Sequence, residues 1–163
     1  MRSTLLSTDR FGDFILSSQV YTNARDLARL GLLHLQGGEW NGQRIISKGW
    51  IDFVRAPAPA TAQRNNEYGG HWWLVPDSRK SEQNGAGRSA RGVAIARRGA
   101  GGPAEEKDVP RDAYSTAGNR GQYVVVVPSH DLVIVRRGLD YGRQGFSQWD
   151  LAREVIKAVT PKP

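Results

Sequence analysis

The segment Tyr114-Ser-Thr-Ala-Gly-Asn-Arg-Gly-Gln-Tyr-Val-Val-Val-Val-Pro128 holds the residues best placed for chemistry. Small residues and glycines at the mouth of a buried strand let another molecule approach the backbone closely. Ser115, Thr116 and Asn119 set polar groups at that mouth, with Ala117 and Gly118 between them. The β-branched run stops at Pro128, and a second apolar strand, Leu132-Val-Ile-Val135, follows at once. The whole reads as one wall of a cleft.

Other chemistry is thinly represented. Three histidines, His34, His71 and His130, are dispersed without matching carboxylates, so neither a metal nor a cofactor is expected. His34 falls within an apolar helix and reads as a packed side chain. His71 stands beside Trp72 and Trp73 as an outward residue of a strand, and His130 lies in a turn. Cysteine is absent, which excludes disulfides and thiolate catalysis. The net charge of +7 comes from arginines spread along the chain, with no aromatic-basic stripe or nucleic-acid motif. A basic surface is therefore expected, with no nucleic-acid partner. No apolar run reaches membrane-spanning length, and the first residues carry no apolar h-region of signal-peptide type.

The elements that position the wall can be read from pattern. At 163 residues the chain is one domain's worth of protein. Residues 1–20 read as irregular or extended. Thr22 or Asn23 caps a helix in which Leu27, Leu30, Leu32, Leu33 and Leu35 predict extensive burial, and Gly37-Gly38 ends it. Trp40-Asn41-Gly42 marks a tight turn. Ser47 caps a short helix through Trp50, Ile51, Phe53 and Val54 that must stop before Pro57. Residues 57–62 read as a linker, and 68–75 as an aromatic strand. Residues 76–112, rich in glycine and charge, predict a flexible insertion loop, with 92–96 as a short strand inside it. Strands over about 121–127 and 131–137 flank a turn at 128–131. A final helix over 147–159 has Ser147 and Asp150 as a capping-box variant and buries Leu151, Ala152, Val155, Ile156 and Val159.

Four spaced blocks resemble the class C β-lactamase-like serine hydrolases, a family of β-lactamases, esterases, D,D-peptidases and 6-aminohexanoate-dimer hydrolases. Ala24-Arg-Asp-Leu-Ala-Arg-Leu-Gly31 with Gly37-Gly-Glu-Trp-Asn-Gly42 is similar to its "T-A-x-D-L-A-R-x-G … G-G-x-W-x-G" stretch. Ile45-Ile-Ser-Lys-Gly-Trp50 and Tyr68-Gly-Gly-His-Trp-Trp73 resemble the two blocks that follow. Ala117-Gly-Asn-Arg-Gly-Gln122, Pro128 and Asp131-Leu-Val133 resemble "A-G-x-x-G-Q … P … D-L-V". Met1-Arg-Ser-Thr4 looks like its "G-M-x-x-T" segment.

The resemblance implies an α+β fold: an antiparallel sheet with flanking helices, the C-terminal part of a serine β-lactamase/D,D-peptidase-like domain. It implies acyl-enzyme chemistry on a small-molecule ester or amide, a β-lactam included, with a serine in Ser-x-x-Lys and a Tyr-x-Asn-like motif. No serine here has a lysine three residues on: Ser47 and Lys48 are adjacent, and Ser78 and Lys80 are spaced by two. Tyr21-Thr-Asn23 fits Tyr-x-Asn by letter but introduces the first helix, so no catalytic residue is assigned in this chain. The third motif falls near Ser115, Thr116, Ala117, Gly118 and Asn119 without the usual cation. There Ser115 or Thr116 can bond a substrate carbonyl or carboxylate, and a backbone N–H near Ala117 to Asn119 can supply half of an oxyanion hole. The expectation is a single incomplete domain over 1–163, inactive alone, with exposed apolar surface that favours self-association. A competing expectation is a non-catalytic binding module that takes anionic partners through the basic 76–112 loop.

Overall fold

The computed structural model describes residues 1–15, 19–77, 108–141 and 147–160. The first of these segments is partly extended, one of the two readings its sequence allowed. Strand β1 (Leu5–Leu6) pairs antiparallel with β2 (Val20–Tyr21), and Thr8 bridges Phe14 farther along the ribbon. Helix α1 (Ala24–Leu35) follows. Asn23, extended, is its cap and accepts the Asp26 N–H at 2.8 Å. Beyond α1 the chain turns back at Gly38, whose φ is +91° and where a Cβ would sit 2.3 Å from the Ile46 carbonyl oxygen. Only glycine satisfies both conditions.

Strands β3 (Glu39–Trp40) and β4 (Gln43–Arg44) form the hairpin expected at Trp40-Asn41-Gly42, with positive φ at Asn41 and Gly42. Ser47 caps helix α2 (Lys48–Arg55) by accepting the Trp50 N–H at 3.1 Å, and Ala56 ends it before Pro57. The stretch read as a linker, 57–62, instead runs into a 3₁₀ helix, Pro59–Arg64. The Thr61 hydroxyl closes it by donating to the Ala58 carbonyl at 2.8 Å.

Four antiparallel strands form the main sheet, in the order β5 (Trp73–Leu74), β6 (Tyr114–Gly118), β7 (Gln122–Val127) and β8 (Leu132–Arg136). The 68–75 stretch is thus a strand only at its end. Gly69 runs so close to α2 that a Cβ would lie 2.2 Å from the Val54 carbonyl oxygen, and His71 has φ +65°. The chain there is a tight loop closed by the Tyr68–Trp73 bridge, and His71 points into solvent.

Helices cover both faces of the sheet. Val124 and Val126 of β7 face one side with Tyr114, Trp72, Leu74 and Val54, and Leu27 and Leu35 of α1 pack there with Val133 and Val135. Tyr123, Val125 and Val127 face the other side. There they meet Ile134 and helix α3 (Gln148–Val159) through Trp149, Ala152 and Ile156. Successive side chains of a strand alternate faces, so a strand covered on both sides shows an unbroken apolar run. Ser147 caps α3 by accepting the Asp150 N–H at 3.3 Å.

Two expectations shift. The buried face of α1 runs through Leu27, Gly31, His34 and Leu35, while Leu32 is exposed. Residues 78–107 lie outside the described residues, and with them most of the predicted 76–112 loop and its 92–96 strand. Val109, near the end of that stretch, is buried in the core under α3.

Candidate functional site

The predicted wall is strand β6. Its register pairs Thr116 with Val124, Ala117 with Tyr123 and Gly118 with Gln122 on the β7 side. On the opposite side β5 reaches only Tyr114 and Ser115. Among the described residues, Thr116 to Gly118 therefore have no neighbouring strand on that side. Alternate backbone N–H and C=O groups of a strand without a neighbour on one side are available to an extended ligand.

The five predicted side chains divide. Ser115 is fully buried, and its hydroxyl donates to the Thr116 carbonyl at 2.8 Å. Thr116 is half-buried, and its hydroxyl oxygen accepts the Val124 N–H at 3.1 Å. Ala117 packs against the core under α3. Gly118 and Asn119 are exposed. Thr116, Gly118 and Asn119 are thus the members that can meet a ligand, whereas Ser115 is part of the sheet.

The turn after β6 is held by residues that sequence reasoning passed over. Arg120 and Gly121 take positive φ. Arg136 donates through Nη1 to the Gly121 carbonyl at 2.8 Å and grips Asp140 with both terminal nitrogens, at 2.9 and 2.7 Å. A Cβ on Gly121 would lie 2.2 Å from Arg136 Nη1. Gln122 donates to the Gly138 carbonyl, and its Oε1 accepts from Arg137 Nε at 2.9 Å. Arg137 also donates to the Thr22 carbonyl at 2.5 Å. The glycine and glutamine of the Gly-Asn-Arg-Gly-Gln block therefore lock the turn to the end of β8 and to the entry of α1. The sequence signal was the block itself; the i,i+4 charge pair Arg136/Asp140 lay outside it.

Among the described residues, no other candidate assembles into a reactive group; Ser78 and Lys80 lie outside them. Tyr21 is exposed in β2. Lys48 lies on the surface in an ion pair with Asp52, 2.6 Å away. Ser129, His130 and Asp112 are close, but Asp112 accepts from the Ser129 hydroxyl at 3.0 Å rather than from the imidazole, so the order of a serine triad is missing. His34 is buried, its ring 4.5 Å from that of Trp72, and burial lowers its pKa to about 4. Burial likewise pushes Tyr114 up to about 12. No group of three or more metal-ligating side chains occurs among the described residues. A cavity of about 650 Å³ lies at the other end of β6, beside Arg55, Asp77, Arg111 and Tyr114; Thr116 to Asn119 do not line it.

Comparison with solved structures decides the fold. A structure provisionally named 6-aminohexanoate-dimer hydrolase, from Bacillus anthracis, superposes on 94% of this chain with a TM-score of 0.54 at 18% identity. The chain carries part of a β-lactamase-like α+β fold. The resemblance drawn from its sequence blocks holds. A 6-aminohexanoate-dimer hydrolase of Paenarthrobacter ureafaciens is 30% identical over 87 residues, 48% of this chain. An uncharacterised protein of Alkalihalophilus pseudofirmus is 26% identical over 132 residues, 78% of this chain. No protein-family model matches. The chain spans 22% and 33% of the length of those two relatives, and 32% of the solved structure.

Proposed function

We propose that this chain supplies the third-motif wall of an acyl-enzyme hydrolase that acts on a small ester or amide, and that it has no activity alone. The observation that carries the reading is the half-open β6. Its edge ends at exposed Gly118 and Asn119, on a turn fixed by Arg136, Asp140 and Gln122. A rigid strand edge of small residues suits a carbonyl substrate, because backbone donors held in place stabilise an oxyanion without reorganising.

In the reaction proposed, a serine oxygen attacks the carbonyl carbon and the alcohol or amine leaves with a proton. Water then releases the acid and restores the serine. The serine with its lysine is not in this sequence, which has no Ser-x-x-Lys. The named relatives make amides of aminohexanoate one substrate class to try, besides esters.

The test is turnover of a chromogenic ester and an amide by the purified 163-residue chain. No turnover above buffer is expected. Turnover lost in Tyr21→Phe would place a nucleophile system inside this chain and overturn the reading.

A further inference from the structure

The cavity of about 650 Å³ lies among the C-terminal turn of α2, the exit of β5 and the entry of β6. Its volume is that of a small-molecule site, in which an apolar lining carries a few polar groups. Leu74, Val75 and Ala113 supply the apolar part, and all three are buried. Thr116 to Asn119 do not reach it, so cavity and wall are separate places on β6.

Three of the charged side chains around the cavity are engaged within the fold. Asp52 takes the Lys48 ammonium at 2.6 Å. Asp112 accepts the Ser129 N–H at 2.7 Å and the Ser129 hydroxyl at 3.0 Å. Arg111 donates to the Pro76 carbonyl, which ties the entry of β6 to the exit of β5.

Arg55 and Asp77 differ from these. The Arg55 guanidinium is held 5.3 Å from the centre of the Tyr114 ring, and the Asp77 N–H donates to the Asn65 carbonyl at 2.7 Å. Both residues are thereby placed. Yet among the described residues neither side chain makes a hydrogen bond or an ion pair, with each other or with a third group. The Tyr114 hydroxyl, near enough to feel the charge of Arg55, is buried without a hydrogen-bond partner. One cavity therefore holds an unspent cation, an unspent carboxylate and an unspent hydroxyl.

We propose that this cavity binds a small zwitterion, an amino acid or short peptide with an apolar side chain. Its carboxylate bonds Arg55, its ammonium bonds Asp77, and its apolar part covers Leu74, Val75 and Ala113. A simple carboxylate brings its charge toward Asp77, and a simple amine toward Arg55, so each singly charged molecule meets one like charge. A zwitterion sets each charge against its opposite and uses both side chains that the fold leaves without partners.

The test is an amide-shift titration of the isotope-labelled 163-residue chain. The probes are leucine and leucylleucine, with isopentylamine and isocaproate as the leucine skeleton lacking one charge. Saturable shifts at Val75, Ala113 and Tyr114 are expected with at least one zwitterion, and about tenfold weaker binding of both singly charged probes. Arg55→Gln and Asp77→Asn should each weaken the zwitterion about tenfold, the effect of one charged hydrogen bond. Arg55→Gln should also leave leucine no better bound than isopentylamine, and Asp77→Asn no better than isocaproate. Neither side chain is paired in the fold, so thermal midpoints and shifts away from the cavity should stay unchanged in both variants. Failure of both zwitterions to saturate overturns the proposal. So does equal binding of a singly charged probe, or binding that neither variant alters. Ester or amide turnover does not bear on the outcome, since the wall residues lie elsewhere on β6.

Discussion

The Thr4 hydroxyl donates a 2.8 Å hydrogen bond to Oδ2 of Asp26, joining the N-terminal segment to the first turn of α1. Burial alone would push this carboxyl up. The N–H groups of Ser3 and Arg2, the Thr4 hydroxyl and Arg29 outweigh it and hold the carboxyl well below its ordinary 3.8. Such a group stabilises the fold above the ordinary carboxylate range, and that contribution fades as pH falls below it. Thr4→Val removes one donor and should cost about 1–2 kcal/mol. Asp26→Asn should destabilise further and flatten the acid limb of the stability curve. Urea titrations of both variants across pH, with amide exchange at Arg2 and Ser3, check this. Unchanged exchange at those amides would refute the anchoring role.

Gly31 lies where α1 crosses the sheet. A Cβ there would come 2.5 Å from Val133 Cγ1 and 2.9 Å from Val124 Cγ1. In an exposed helix, Gly→Ala gains roughly 0.5–1 kcal/mol. Here overpacking should reverse the sign, giving a loss of about 1–3 kcal/mol for Gly31→Ala. Adding Val133→Ala should restore part of it. A stabilised Gly31→Ala would mean that α1 can lift from the sheet without cost.

His34 gives a pH dependence of definite sign. Its pKa is 6.5 ordinarily and about 4 in the fold, because burial disfavours the imidazolium. Between those values the unfolded chain binds a proton that the native chain does not. Stability is therefore complete above pH 6.5 and declines toward pH 4, by up to about 3 kcal/mol. The ring Nδ1 is buried without a hydrogen-bond partner. His34→Leu should thus remove the slope and leave stability at pH 7 equal or higher. A slope that survives His34→Leu would assign the effect to other groups.

The legible parts of the fold were those in which local chemistry and burial agree. Ser47, Asn23 and Ser147 cap helices as their side chains predict, and the valine run of β7 announced a strand covered on both faces. The leucines of α1 misled because a close helix–sheet contact needs Gly31, and composition shows no face for a residue without a side chain. Trp72 and Trp73 suggested a longer strand than exists; the Gly69-Gly70 pair bends the chain over α2 instead. At the candidate site, the small-residue block marked strand β6, the wall in the reading proposed above. Which hydroxyl is buried depended on strand register, and that follows from pairing with β7 rather than from the block. The ribbon read only as irregular or extended because its partner strands are two residues long and separated by more than a dozen.

The Arg136–Asp140 grip offers the most direct check on the wall. Both side chains are mostly buried, and the pair is bidentate, so it fixes direction as well as distance. Through Nη1 the same arginine holds the Gly121 carbonyl, and Gly121 closes the turn that presents Gly118 and Asn119. Asp140→Ala removes the carboxylate that orients the guanidinium and should cost about 1–3 kcal/mol. Arg136→Lys should not preserve the geometry, because an ammonium lacks the planar fork. Amides from Asn119 to Gln122 should exchange faster in both variants, while those of Val124 to Val126, at the centre of the sheet, should not. Equal acceleration along all of β7 would mean that the pair stabilises the domain as a whole. No acceleration at the turn would mean that the wall is held without it.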